Sequence, residues 1–117
     1  METILQRLTE LDEVTGVILV GKDGLIVSGT LHSEDEEMIG ALSATAFGSL
    51  STYTKQINQG EIRHAIIETQ QGTIQMAEVG DLILVVTTQQ TRSPNLGRVR
   101  LEMKKACRQI LPLVTSQ

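Results

Sequence analysis

Three apolar runs between residues 62 and 88 are divided only by Gln70-Gln71-Gly72 and Gly80-Asp81. Connections this short cannot carry a crossover helix, so strands at about 62–68, 73–79 and 82–88 must form an antiparallel meander. Upstream, Val17-Ile18-Leu19-Val20 and Leu25-Ile26-Val27 flank Lys22-Asp23-Gly24. Asp-Gly between two apolar runs is a strong hairpin signal, because both turn residues must tolerate positive φ. The unbroken apolar character of these two runs predicts central strands covered on both faces.

Three helices complete the pattern. Ile4, Leu5, Leu8 and Leu11 stand at helical spacing, which predicts a helix over 4–14 ended by Gly16. Ser33 followed by Glu36 reads as a capping box opening a helix over about 34–58, with Asn58 and Gly60 at its end. That helix accounts for the acidic run Glu34-Asp35-Glu36-Glu37 without any metal. Ser93-Pro94 opens a last helix over about 94–111, and Pro112 is expected to stop it. The order helix, strand, strand, helix, strand, strand, strand, helix predicts one α/β sandwich over residues 1–117. Its five-stranded, mainly antiparallel sheet carries helices on both faces.

Composition narrows the function. Two aromatics, Phe47 and Tyr53, and no tryptophan cannot build a stacking platform for carbohydrate or single-stranded nucleic acid. A net charge of −4 argues against nonspecific nucleic-acid binding. The longest large apolar run, Leu82–Val86, is far too short to span a membrane, and the first residues lack a signal-peptide pattern. One cysteine, Cys107, excludes an internal disulfide, and a cytoplasmic location is expected. Residues 1–37 hold nine acids against Arg7 and Lys22, while residues 92–117 hold six bases against Glu102. This asymmetry suits either two solvated helix ends or a steering field for a partner.

No catalytic, cofactor or metal site emerges. His32 falls in a loop and His64 on a strand, neither in a ligand or triad motif, and both read as structural or solvated. Cys107 lies beside the stripe Leu96, Val99, Met103, Ala106 and Ile110 and reads as a small hydrophobe. Gly21-Lys22-Asp23-Gly24 lacks the spacing of a phosphate loop and reads as a turn.

The long helix is the most informative element. Helical spacing places Met38, Ile39, Leu42, Ala46, Ser49, Leu50, Tyr53 and Ile57 on one stripe, expected to be its core face. The opposite face holds Gly40, Ala44, Phe47, Gly48, Ser51 and Thr54, and no charge stands between Met38 and Thr54. Gly40 and Gly48 each cost roughly 1 kcal/mol against alanine inside a helix, which the close approach of another backbone would offset. With a strand at 62–68 at a sheet edge, an isologous self-interface is expected at Gly40, Ala44, Phe47, Gly48, Ser51, Ile62, His64 and Ile66. Phe47, Ser51 and Thr54 are the candidates for contacting a further partner.

Several motifs occur in a telling order: Val14-Thr15-Gly16-Val17, Asp23-Gly24-Leu25-Ile26-Val27, Asp35-Glu36, Ile66-Ile67-Glu68 with Gly72, Gly80-Asp81-Leu82-Ile83-Leu84-Val85, and Asn95-Leu96-Gly97-Arg98-Val99-Arg100. In this order, over nearly the whole chain, the sequence resembles the roadblock family. These dynein light-chain-like domains include bacterial and archaeal regulators of small GTPases. The resemblance implies an obligate dimer whose third strands pair into one continuous sheet, with the long helices packed antiparallel across it. It also implies no catalytic centre and no cofactor, with a Ras-like GTPase as partner. The alternative is a structural adaptor subunit of a motor or signalling assembly. A small-ligand sensor would need a pocket with convergent polar groups, which the strands scarcely offer.

Overall fold

The turn spacing of the sequence becomes a five-stranded sheet ordered β2-β1-β5-β4-β3, every neighbouring pair antiparallel. The strands are β1 (Val14–Gly21), β2 (Ile26–Gly29), β3 (Ala65–Glu68), β4 (Gly72–Val79) and β5 (Leu82–Gln89), and the helices are α1 (Glu2–Thr9), α2 (Glu36–Gln56) and α3 (Leu96–Thr115). A computed structural model describes residues 1–30, 35–89 and 96–115.

Alternation along the strands divides the core in two. On one face α1 and α3 bury Leu5, Leu8, Val99, Met103, Ala106 and Ile110 against Val17, Leu19, Leu84 and Val86. On the other, α2 covers Ile18, Val20, Met76, Ile83 and Val85. Each large aliphatic side chain so buried contributes about 1.5–3 kcal/mol. The expected sandwich, with helices on both faces, is therefore present.

Asp23-Gly24 does turn the β1–β2 hairpin. Gly24 takes φ +93°, and the Asp23 carboxylate accepts a hydrogen bond from the Leu25 N–H at 3.1 Å. Only the first of the two apolar runs is central, however. β1 is buried from Gly16 onward, whereas β2 is a sheet edge whose burial alternates.

Other boundaries differ from the sequence reading for local reasons. α1 ends at Thr9, and Gly16 sits inside β1. Leu11 still reaches the core from the connection. α2 opens at Glu36, with Asp35 flanking it, two positions later than the capping-box reading; Ser33 lies outside the described residues, as do His32, Arg92 and Ser93-Pro94. β3 begins at Ala65, so Ile62 and His64 precede it. Pro112 does not stop α3, which runs on to Thr115. The proline lacks an N–H for the helical ladder, but Val114 beyond it packs against the α1–α3 core and gives the extra turn a purpose.

Candidate functional site

The face that α2 turns to the sheet is the one read as its outer face. Phe47 is only 2% exposed and sits among Ile18, Val20, Met76, Ile83 and Val85. Gly40 is buried beside it, and Ala44, Ser51 and Thr54 are half-buried on the same side. The Thr54 hydroxyl is already spent on the Ser51 carbonyl at 3.1 Å. Phe47, Ser51 and Thr54 are thus not an exposed patch for a partner. Of the helical residues expected at a self-interface, only Gly48 is fully exposed, and a Cβ there would meet nothing within 4 Å.

The cause is a backbone approach within the chain. A Cβ on Gly40 would lie 2.5 Å from the Gly24 carbonyl and 3.0 Å from Ile26. Glycine lets the helix settle onto the β1–β2 turn, and the single large side chain on that face, Phe47, fills the space that remains.

The apolar stripe expected inside is consequently outside. Met38, Leu42 and Tyr53 are each 60% exposed, Ile57 and Ser49 are exposed, and Ile39, Ala46 and Leu50 are half-buried. No charge stands between Met38 and Thr54, and Lys55, which helical spacing puts on the opposite side of α2, pairs with Glu61 at 3.9 Å. Isolated exposed hydrophobics need no explanation, but a contiguous charge-free patch marks an interaction surface.

The stripe continues into the sheet. β3 pairs only with β4 among the described residues, which leaves its other side unpaired. Between α2 and the sheet lies an apolar cavity of about 260 Å³ that reaches from Val17 of β1 past Val85 of β5 to Ile67 of β3, with Leu42 and Ala46 of α2 lining it as well. Exposed helix stripe, cavity and free strand edge are one continuous surface.

Of the remaining expected interface residues, Ile62 is half-buried and packs towards α2. His64 and Ile66 face the other way. Ile66 stands opposite Gln75 in the β3–β4 register, and the His64 Nε2 lies 2.6 Å from Gln75 Oε1. Burial lowers the His64 pKa, opposed by the Gln75 hydrogen bond and assisted by the positive charges of Arg100 and Lys104. Cys107 is half-buried against the α1–α3 core, where burial pushes its thiol up to about 11. Among the described residues no group of His, Cys, Asp and Glu is arranged to hold a metal, and no helix is long and apolar enough to cross a membrane.

Met38, Leu42 and Tyr53 were legible as a stripe but not as an outward one. α2 carries apolar or small residues all round, so periodicity alone does not choose its buried face. The available signal was the pair Gly24 and Gly40, one in a turn and one in a helix.

The sequence profile of the Roadblock/LC7 domain matches residues 1–88. An uncharacterized protein of Methanocaldococcus jannaschii is 34% identical over 111 residues, covering 94% of this chain and 96% of that one. Myxococcus xanthus MglB superposes with a TM-score of 0.85 at 26% identity, covering 98% of this chain and 94% of that one. The Roadblock/LC7 domain from Streptomyces avermitilis shares the fold, with a TM-score of 0.87 at 17% identity and 97% coverage of both chains. With the profile match spanning most of its length and its helices and strands in the same arrangement, the chain belongs to the Roadblock/LC7 domain family.

Proposed function

We propose that this chain is a non-enzymatic homodimer that regulates or scaffolds a Ras-like small GTPase in the cytoplasm. The observation that carries the dimer is the continuity of Met38, Leu42 and Tyr53 with the cavity beside Ile67 and the free edge of β3. A two-fold axis near that edge uses the surface twice. β3 pairs with its copy, and the charge-free stripes of the two α2 helices cover one another. The stripe is rich in Met, Leu and an aromatic and poor in charge, as interface cores are.

The GTPase partner rests on the family resemblance and on the likeness to MglB. A regulator must bind the GDP and GTP states with different affinity, since equal affinity shifts no equilibrium. Binding to candidate Ras-like GTPases loaded with GDP or a GTP analogue tests this. A difference of tenfold or more supports the regulator (about 1.4 kcal/mol). Equal affinity makes the chain a structural adaptor instead. Leu42→Glu and Tyr53→Glu alter exposed side chains, so they should break the dimer and leave the protomer folded.

A further inference from the structure

The face of the sheet away from α2 carries a second surface. Ile66 pairs with Gln75, and Gln75 lies between Thr73 and Ala77 on the α1–α3 side, so His64, Ile66 and Glu68 alternate onto that side at the β3 edge. α3 borders the strip. Beside its buried residues Val99, Met103, Ala106 and Ile110, helical spacing puts Arg100 and Lys104 on one flank and Glu102 and Lys105 on the other. The second flank adjoins α1, where Glu102 and Lys105 pair at 3.4 Å beside Ile4, Arg7 and Leu8. Arg100 and Lys104 lie towards β3, close enough for their charges to act on His64.

Three properties of the strip converge. Arg100 and Lys104 are exposed and make no ion pair among the described residues, whereas the Lys105 ammonium is already neutralised. Ile66, in the middle of the strip, is 41% exposed. Opposite it on β4, Gln75 is fully buried; its Oε1 holds His64, and its Nε2 finds no acceptor among the described residues. A buried donor left without an acceptor is a costly feature, uncommon in a finished interior. Here it stands on β4 opposite Ile66, beside the His64 that Arg100 and Lys104 face.

We infer that the strip between β3 and α3 docks an acidic segment of a partner protein, with Arg100 and Lys104 holding its carboxylates and Ile66 covered by one of its apolar side chains. Arg100 and Lys104 outnumber Glu68, the acid on the strip, so charge complementarity selects an acidic ligand, and the exposed isoleucine selects a peptide over a bare anion. Two cations bordering the strip are too few for a polyphosphate chain, which needs a basic field over a wide surface. Gln75 fixes the imidazole of His64 at the rim, so the polar floor of the strip is preset. Every residue involved belongs to one chain, on the face opposite α2; where β3 pairs with its copy, Ile66 lies along that seam, while Arg100 and Lys104 on α3 stand outside it.

Fluorescence anisotropy with a labelled octapeptide of alternating glutamate and leucine tests it, with the lysine–leucine octapeptide and inorganic phosphate as comparators. The glutamate peptide should bind saturably and the lysine peptide should not. Arg100→Gln with Lys104→Gln should weaken binding at least tenfold, roughly the loss expected for two charge-assisted contacts. Arg7→Gln with Lys105→Gln removes the same charge from the α1 flank and should change binding less than about twofold. Ile66→Ser should weaken it about threefold or more. Absence of binding, equal loss in both charge variants, or displacement of the probe by phosphate at matched charge would each overturn the inference. All substituted side chains are at the surface, and Lys104→Gln alone serves if the double variant melts early. Molar mass measured on the same samples separates the two readings: a monomer that binds the acidic peptide keeps this inference and loses the dimer.

Discussion

The carbonyl oxygen of Gly24 stands 2.5 Å from where a Cβ on Gly40 would lie, so the β1–β2 turn and α2 are in backbone contact through two glycines. This contact sets the rotation of the helix, and the rotation decides which residues meet solvent. Gly40→Ala should destabilise the protein by about 1–3 kcal/mol, because the overpacking outweighs the roughly 1 kcal/mol gained in helix propensity. Gly48→Ala, with nothing within 4 Å, should stabilise it. Urea unfolding at one fixed protein concentration reads both signs.

Phe47 is the other half of that arrangement. Truncating it opens a cavity among Ile18, Val20, Met76, Ile83 and Val85, so Phe47→Ala should cost about 3–5 kcal/mol. An exposed interface anchor at this position would instead lower dimer affinity with the protomer intact. Unfolding and molar mass measured together distinguish the two.

His64 makes stability depend on pH. Its folded pKa lies below the ordinary 6.5 through burial, and the cations Arg100 and Lys104 act in the same direction. The unfolded chain therefore takes up the proton more readily, and stability present above pH 6.5 is lost as the pH falls through that value towards the folded pKa. His64→Gln should flatten this dependence. The difference between the two urea midpoint profiles isolates His64 from the chain's other histidine, His32.

Cys107 should be a slow thiol. With its pKa pushed up to about 11, the thiolate at neutral pH is roughly a hundredfold scarcer than for a group at 9.0. Iodoacetamide should label it slowly in the native protein and at an ordinary thiol rate in urea. Fast native labelling would contradict its packing against the α1–α3 core.

The legible and illegible parts of this fold differ in physical kind. Strand pairing was readable because Gln70-Gln71-Gly72 and Gly80-Asp81 leave the chain no other route, and β3 lies at the sheet edge expected of the strand that follows the long helix. The orientation of α2 was not. A helix with Phe47 on one side and Leu42 and Tyr53 on the other has no polar face to break the tie, and only the contact with Gly24 does so. Gly40 was correctly read as a close approach, but the approaching backbone belongs to the same chain. The end of α3 was missed because a local rule about Pro112 was overridden by the burial of Val114.

The central claim is that the charge-free stripe of α2 and the free edge of β3 join two copies of this chain. Absolute molar mass by light scattering, followed over a wide dilution series, tests it most directly. The account predicts a mass near twice 12.8 kDa that persists on dilution, and a fall to the protomer mass in Leu42→Glu with the helical signal retained. A wild-type chain that is monomeric throughout, or a Leu42→Glu variant that remains a dimer, would contradict it.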